Sequence, residues 1–339
     1  PGFFSEKIGV PVYPFESPNF LPSAKNKQVN LVRSVAYNLF RLHKYLSSIR
    51  YINRMIKETG ADVVVNFYEL LTGLTYLFCH PKALMVCIAH QYLFLHPDFV
   101  FPGQNRLSLV SLKFFTRMTA IGATKKLALS FRKMREVPSE RIVVVPPLLR
   151  KEVLETTPVN GDYLHGYLLN SGFSEEIRSW HKVHPNVALH IFWDKKEVRP
   201  EVKVDSFLSF HQLNDTLFIR YMAGAKAYAT TAGFESVCEA MYLGKPVLMV
   251  PTHIEQSCNA FDAVQAGAGV VADRFDLDAL LELSRTHRPN PAFSHWVKQA
   301  DWLILREFRP DLLMEETPAS LWRRLSTRWI YRLGKTLSI

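Results

Sequence analysis

Short apolar runs of the kind that fill a parallel sheet recur along this chain, each separated from the next by a helical stretch, and the rhythm restarts once. A long helical pattern from Val29 to Lys57 stops at Gly60, the expected left-handed cap residue. Strand signals follow at Asp62–Phe67, Ala83–Ala89, Lys126–Phe131 and Arg141–Val145, with a helix over Leu70–Phe78. Pro146-Pro147 breaks the pattern, and the polar stretch Thr156–Asp162 reads as a linker. Strands are then expected at Tyr163–Leu169, Val187–Trp193, Ala227–Thr230, Val247–Val250 and Ala268–Ala272. Helices are expected from Ser174 and over Asn214–Ala225. Two β/α alternations predict an α/β protein of two Rossmann-like, doubly wound parallel-sheet domains facing a cleft, with domains over 1–155 and 156–318 and a tail over 319–339. Ligands of such sheets sit beyond the carboxyl ends of the strands.

Composition agrees with packed domains: 48% of the 339 residues are apolar and 21% charged. The net charge of +10 points to an anionic partner, with a merely soluble basic protein as the alternative. Cys79, Cys87, Cys238 and Cys258 form no C-x-x-C pair and lie among apolar or helical residues, so reduced, buried thiols are expected, as in a cytosolic protein. No apolar run is long enough to span a bilayer. The chain opens on Pro1 rather than Met and enters a strand-like stretch, Ile8–Phe15, at once.

The chemistry concentrates in Tyr228–Ala260. A strand ends at Thr230 and turns through Thr231-Ala232-Gly233, and a helix begins near Phe234 and caps at Gly244. Free N–H groups and the positive dipole end at that helix start suit a diphosphate; Gly233 permits close backbone approach and Ser236 offers a hydroxyl. Glu239 lies one turn deeper on the same face, where a carboxylate can accept hydrogen bonds from a vicinal diol such as ribose. The alternative is that Glu235 and Glu239 only complement the dipole on a solvated face. Glu255, Gln256 and Asn259 open the next helix and suit sugar hydroxyls, with plain N-terminal capping as the alternative.

The segment TTAGFESVCEAMYLGKPVLMVPTHIEQSCNA resembles the donor-binding signature of GT-B glycosyltransferases, in particular the MurG-like and UDP-glycosyltransferase group with its family 28-type donor domain. The resemblance implies a diphosphate cradle at Gly233 and Ser236 with the amides of Phe234 and Glu235. It implies a ribose acid at Glu239 and donor-sugar contacts at Gln256, Glu255 and Asn259. Gly172, after the second domain's first strand, would approach the diphosphate, and the Phe210-His211 backbone would grip the base. Ala232 departs from the small hydroxyl residue common in the MurG branch. In the first domain, Ile88-Ala-His-Gln91 resembles the family's cleft-facing His segment, which puts His90 and Gln91 on the acceptor side, and Tyr68–Gly73 the loop before it. Relatives begin with a β-α-β unit bearing the catalytic base. The expectation is that about 45 residues carrying that unit precede this sequence, with Glu69 and His90 as substitute catalytic candidates; for His90 the alternative is a histidine satisfied within the structure.

Other signals carry less. Asp276-Leu-Asp278 precedes an apolar helical pattern, which makes Asp276 an N-cap rather than a metal ligand. His181, His184 and His190 lack companions at metal spacing, so no metal is expected. Nucleic-acid binding finds no support, since aromatic and basic residues are not grouped. Between Thr317 and Ile339 lie five basic residues and no acid, with Leu321, Trp322, Leu325, Trp329, Ile330 and Leu333 at near-helical spacing. Such a tail suits an anionic membrane surface or a final helix crossing back onto the first domain. The resemblance thus implies a metal-independent glycosyltransferase with no cofactor, using a nucleotide-sugar co-substrate, UDP-sugar foremost. Its acceptor would be lipid-linked or membrane-proximal, in the cell envelope, and its place the cytoplasm or the inner membrane face. A nucleotide-sugar 2-epimerase or hydrolase, and a non-catalytic nucleotide-sugar-binding protein, are the alternatives.

Overall fold

The computed structural model describes residues 10–18, 31–103, 106–169, 171–195, 199–309 and 313. The tail from 319 and the stretch before residue 10 lie outside them. Two helices, α1 (Leu31–Phe40) and α2 (Leu42–Glu58), precede a four-stranded sheet of β1 (Val63–Asn66), β2 (Leu84–Ala89), β3 (Lys125–Leu129) and β4 (Ile142–Val145). All of its pairings are parallel and its order is β1-β2-β3-β4. Helices α3 (Leu70–Cys79) and α4 (Arg106–Thr119) supply crossovers. Alternation along β2 decides its two faces. Met85, Cys87 and Ala89 join Tyr92, Phe94 and Phe99 on one side, while Val86 and Ile88 join Leu127, Val143 and Val145 on the other.

The chain leaves β4 through Pro146–Leu149 and enters a short helix, α5 (Lys151–Leu154), whose Val153 is fully buried in the core of the second unit. There follow β5 (Tyr163–Leu168), α6 (Ser174–Val183), β6 (Ala188–Trp193), β7 (Glu201–Lys203), β8 (Leu208–Gln212), α7 (Asp215–Gly224) and β9 (Ala227–Thr230). Then come α8 (Phe234–Tyr242), β10 (Val247–Met249), α9 (Ile254–Gln265), β11 (Gly269–Val271), α10 (Leu277–Thr286), α11 (Pro291–Val297) and α12 (Ala300–Arg306). The seven-stranded sheet runs β11-β10-β9-β5-β6-β8-β7, parallel except for the β7–β8 hairpin. Its winding reverses between β5 and β9, which opens a crevice outside their carboxyl ends.

Several local expectations meet their geometry. Gly60 and Gly244 end helices at φ +61° and +70°, the Asp276 carboxylate caps α10 by accepting from the Ala279 N–H at 3.0 Å, and all four cysteines are free, three of them buried. Others are corrected. The helix expected as one piece over Val29–Lys57 is two, broken at Arg41, whose ψ of 4° departs from helical geometry and whose guanidinium is drawn to Glu16 at 2.9 Å. The described part of Ile8–Phe15 forms no strand, because Pro11 and Pro14 cannot donate to a ladder. The strand expected to reach Phe131 ends at Leu129. The β7–β8 hairpin was not anticipated; the Asp205 carboxylate makes its turn by accepting from the N–H groups of Phe207 and Leu208 at 2.8 and 2.9 Å.

Helix α12 and Leu313 belong spatially to the first sheet, although the sequence reading runs the second domain to 318. Ala300 and Ile304 of α12, with Leu313, pack on Val86, Ile88, Leu127, Val143 and Val145.

One close approach generates a stability prediction. Gly73, inside α3, faces the end of α4. An added Cβ would run into the Met118 carbonyl oxygen and lie 2.9 Å from that of Thr119. In an ordinary helix Gly→Ala stabilises by about 0.5–1 kcal/mol. Here Gly73→Ala is expected to destabilise by roughly 1–3 kcal/mol through overpacking against backbone, measured as a lower urea midpoint with unchanged slope.

Candidate active site

The turn after β9 forms differently from what its glycine suggests. Ala232, fully buried, takes the left-handed conformation at φ +65°, while Gly233 has an ordinary φ of −64°. A Cβ at Gly233 would meet only the Ser236 hydroxyl, at an unstrained 3.6 Å. The protein itself therefore has no steric need for glycine at 233. Gly233 is the N-cap of α8 and supplies no side-chain hydrogen bond, so the first N–H groups of the helix face the β5/β9 crevice without a side-chain cap. Helices α3, α7, α10 and α11 are closed by Glu69, Asn214, Asp276 and Asn290, whereas α2, α5, α6, α9 and α12 share with α8 the lack of a side-chain cap. The Ser236 hydroxyl donates back to the Gly233 carbonyl at 3.2 Å. Gly172 lies exposed in the turn after β5, the strand beside β9. The sequence-predicted cradle residues thus follow the carboxyl ends of two adjacent strands, Gly172 after β5 and Gly233, Phe234, Glu235 and Ser236 after β9, with Glu235 turned to solvent.

Glu239 is buried one turn deeper, its side chain 5% exposed. Its carboxylate accepts a forked pair of hydrogen bonds from Arg150, Nε to Oε1 at 2.6 Å and Nη2 to Oε2 at 2.8 Å. Burial pushes the Glu239 pKa above the usual carboxylate range, and the Arg150 charge and hydrogen bonds oppose that rise. Arg150 stands in the junction between the two sheets, at the N-cap of α5, and sequence reasoning missed it. A lone arginine after Pro-Pro-Leu-Leu carries no periodic or motif signal.

At the start of α9, Glu255 reaches across to the first unit. Its Oε1 accepts from His90 Nε2 at 3.2 Å and Gln91 Nε2 at 3.1 Å. Burial raises the Glu255 pKa, but the His90 hydrogen bond and the nearby His90 and His253 rings outweigh it, so the group titrates below its usual range. The His90 ring stacks flat on Phe234, centroids 4.5 Å apart and planes 8° apart. These two rings, with Phe94, Phe99, Phe131 and Asn259, line a small hollow of about 10 Å³. Gln256 turns its amide oxygen back to the Thr252 N–H and hydroxyl, at 2.9 and 2.8 Å, in a capping arrangement. Glu69 likewise caps α3, accepting from the Leu71 N–H at 2.9 Å and the Ser17 hydroxyl at 2.8 Å.

His211 lies at the carboxyl end of β8, two strands from β5, and its side chain belongs to an internal cluster. The Ser209 hydroxyl bridges His211 Nε2 at 2.8 Å and His190 Nδ1 at 2.9 Å, while His165 Nδ1 donates to the His190 carbonyl at 3.2 Å. Burial depresses all three, His165 to about 3 and His190, with help from its His211 neighbour, to about 4. Among the described residues, no group of three His, Cys, Asp or Glu side chains could hold a metal ion, and no helix is long and apolar enough to cross a membrane.

Residues 19–283 match the family model described as glycosyl transferase family 1. The chain belongs to that family. Its members' GT-B fold is also the fold shared with the crystallised glycotransferase of kitacinnamycin, at 13% identity and TM-score 0.52, over 96% of this chain and 85% of that one. The calicheamicin glycosyltransferase CalG4 aligns over 86% of this chain and 83% of its own at 16% identity and TM-score 0.49. A Caenorhabditis elegans protein named UDP-glucuronosyltransferase ugt-48 is 30% identical over 111 residues, a stretch covering 31% of this chain and 19% of that protein. The two Rossmann-like sheets and the GT-B assignment read from the signature accord with this family.

The histidine cluster yields a pH prediction. Its folded pKa values lie below those of an unfolded chain, so between pH 6.5 and about 4 the unfolded state binds more protons and stability falls as pH falls. Urea midpoints measured from pH 7 to pH 5 should drop for the native chain, and His190→Gln should flatten that slope. Equal slopes would disprove the assignment.

Proposed function

We propose that this protein moves a sugar from a nucleoside diphosphate donor, UDP-sugar foremost, onto an acceptor hydroxyl. The observation that carries the reading is the start of α8, with no side-chain cap and a Gly233 whose missing side chain leaves room the protein does not use. In this reading the amides of Phe234, Glu235 and Ser236 hold the diphosphate, Gly172 approaches it from the adjoining turn, and Glu239 receives the ribose hydroxyls. The His211 strand end lies toward the base. Glu255, Gln256 and Asn259 serve the donor sugar. The local likeness to a protein named UDP-glucuronosyltransferase supports uridine as the base.

During transfer the acceptor oxygen bonds to the anomeric carbon and the carbon–oxygen bond to the diphosphate breaks. The departing oxygen takes the electron pair and the helix dipole steadies its charge, a role a divalent cation can fill elsewhere. The acceptor's proton needs a base. His90, donating from Nε2 to Glu255, would present Nδ1 as its basic nitrogen when neutral, and is our candidate. For the acceptor we infer a lipid-linked or other membrane-proximal molecule. Exposed Leu39, Phe40, Leu42 and Leu46 support that reading, as does the basic composition of the tail.

Calorimetry with UDP, GDP, CMP and dTDP in the presence of EDTA tests the donor reading, with UDP expected to bind best. Gly233→Ala should cost at most about 1 kcal/mol of stability, the ordinary N-cap penalty of alanine, yet weaken UDP about tenfold or more, about 1.4 kcal/mol. Equal affinity in that variant would sink the cradle. Incubating UDP-sugar without acceptor separates transfer from epimerisation or hydrolysis, either of which would appear as epimer or free sugar.

A further inference from the structure

The Arg150–Glu239 pair has a geometry that a simple surface bridge lacks. Two guanidinium nitrogens, Nε and Nη2, take one carboxylate oxygen each, and the third, Nη1, lies 3.5 Å from Asp215 at the first position of α7. The fork is therefore braced from two sides. Flanking it, Leu149 and Val153 are packed into the second unit's core. The exposure is unequal: 36% for the Arg150 side chain against 5% for Glu239. Each oxygen of an ionised carboxylate carries two acceptor positions, so the fork leaves one on each oxygen. That is the number a vicinal diol needs.

We infer that Arg150 is a positioning residue: its fork fixes the Glu239 carboxylate in the orientation that accepts the two ribose hydroxyls, so the junction between the sheets sets how firmly the pentose is held. The inference rests on the donor reading above and goes beyond it by naming a residue outside the signature. The charged and titratable groups facing Glu239 are Arg150 from the junction, Asp215 from α7, Tyr228 from β9, and Glu235 and Cys238 on its own helix. Arg150 is the cation among them. Without it Glu239 would be buried beside two acids and would protonate at a higher pH, losing acceptor capacity.

The test compares UDP with 2′-deoxy-UDP, titrated calorimetrically from pH 5.5 to pH 8 against the native chain, Arg150→Met and Arg150→Lys. The native chain should prefer UDP about tenfold. Arg150→Met should bind UDP about tenfold more weakly, bind 2′-deoxy-UDP nearly as before, and lose UDP affinity at a higher pH on acidification. Arg150→Lys keeps the charge without the fork; it should hold the native pH limb but lose several-fold of the preference, and it decides the matter if Arg150→Met does not fold. Unchanged preference in Arg150→Lys, tighter UDP binding in Arg150→Met, or equal weakening of both nucleotides with an unmoved pH limb would each overturn the inference. A native chain that binds neither nucleotide would instead overturn the donor reading, and this inference with it.

Discussion

A helix that begins without a side-chain cap keeps a concentration of positive charge at its start, and of the several such helices here α8 is one whose start stands where the winding of its sheet reverses. Parallel strands send each helix back to start beyond a carboxyl strand end, so helix N-termini collect on one edge of a sheet. In the seven-stranded sheet the winding reverses between β5 and β9, and the start of α8 is where the edge opens. Ala232 accepts a left-handed backbone there, a conformation that costs roughly 1–2 kcal/mol for a residue bearing a Cβ. The surrounding core of Phe131, Phe234, Val237 and Met249 holds it in place.

The two units meet through polar contacts placed among aromatic ones. Glu255 is shared by His90 and Gln91, Arg132 donates to the buried Asp262 at 2.8 Å, and the Trp296 indole donates to the Ser130 carbonyl at 3.0 Å. Phe131 lies 4.8 Å from Phe234 and fills the space between them. Charged pairs of this kind gain little net free energy because desolvation opposes their attraction. Their contribution is geometric, since an uncompensated buried charge penalises every other docking of the two sheets. Lys245 serves the same end within the donor signature: its ammonium, lowered to about 8 by burial, donates to the Val159 carbonyl at 2.7 Å and pins the linker.

The sheets were legible because strands buried on both faces read as unbroken apolar runs, and every run named in the sequence became a strand except the Pro-interrupted Ile8–Phe15. The β7–β8 hairpin was missed because its strands alternate polar and apolar residues and its turn depends on a single aspartate side chain. The strand, turn and helix over Ala227–Tyr242 were legible because they are contiguous. Arg150 was not, because its meaning arises only when residues 89 positions apart meet. Gln256 and Glu69 show how residue type and position leave two roles open: each turns one acceptor oxygen to a backbone N–H, which is what the first turn of any helix asks of nearby polar side chains.

The return of α12 to the first sheet means that, among the described residues, the polypeptide passes between the two bodies twice, once near Pro146–Arg150 and again between Val297 and Ala300. A pair of tethered bodies with a single strap can twist freely, whereas two straps act as the pins of a door and leave swinging about the line through them as the easy motion. Opening of the two bodies then follows one arc, and the Pro146–Arg150 pin includes the very arginine that holds the Glu239 carboxylate.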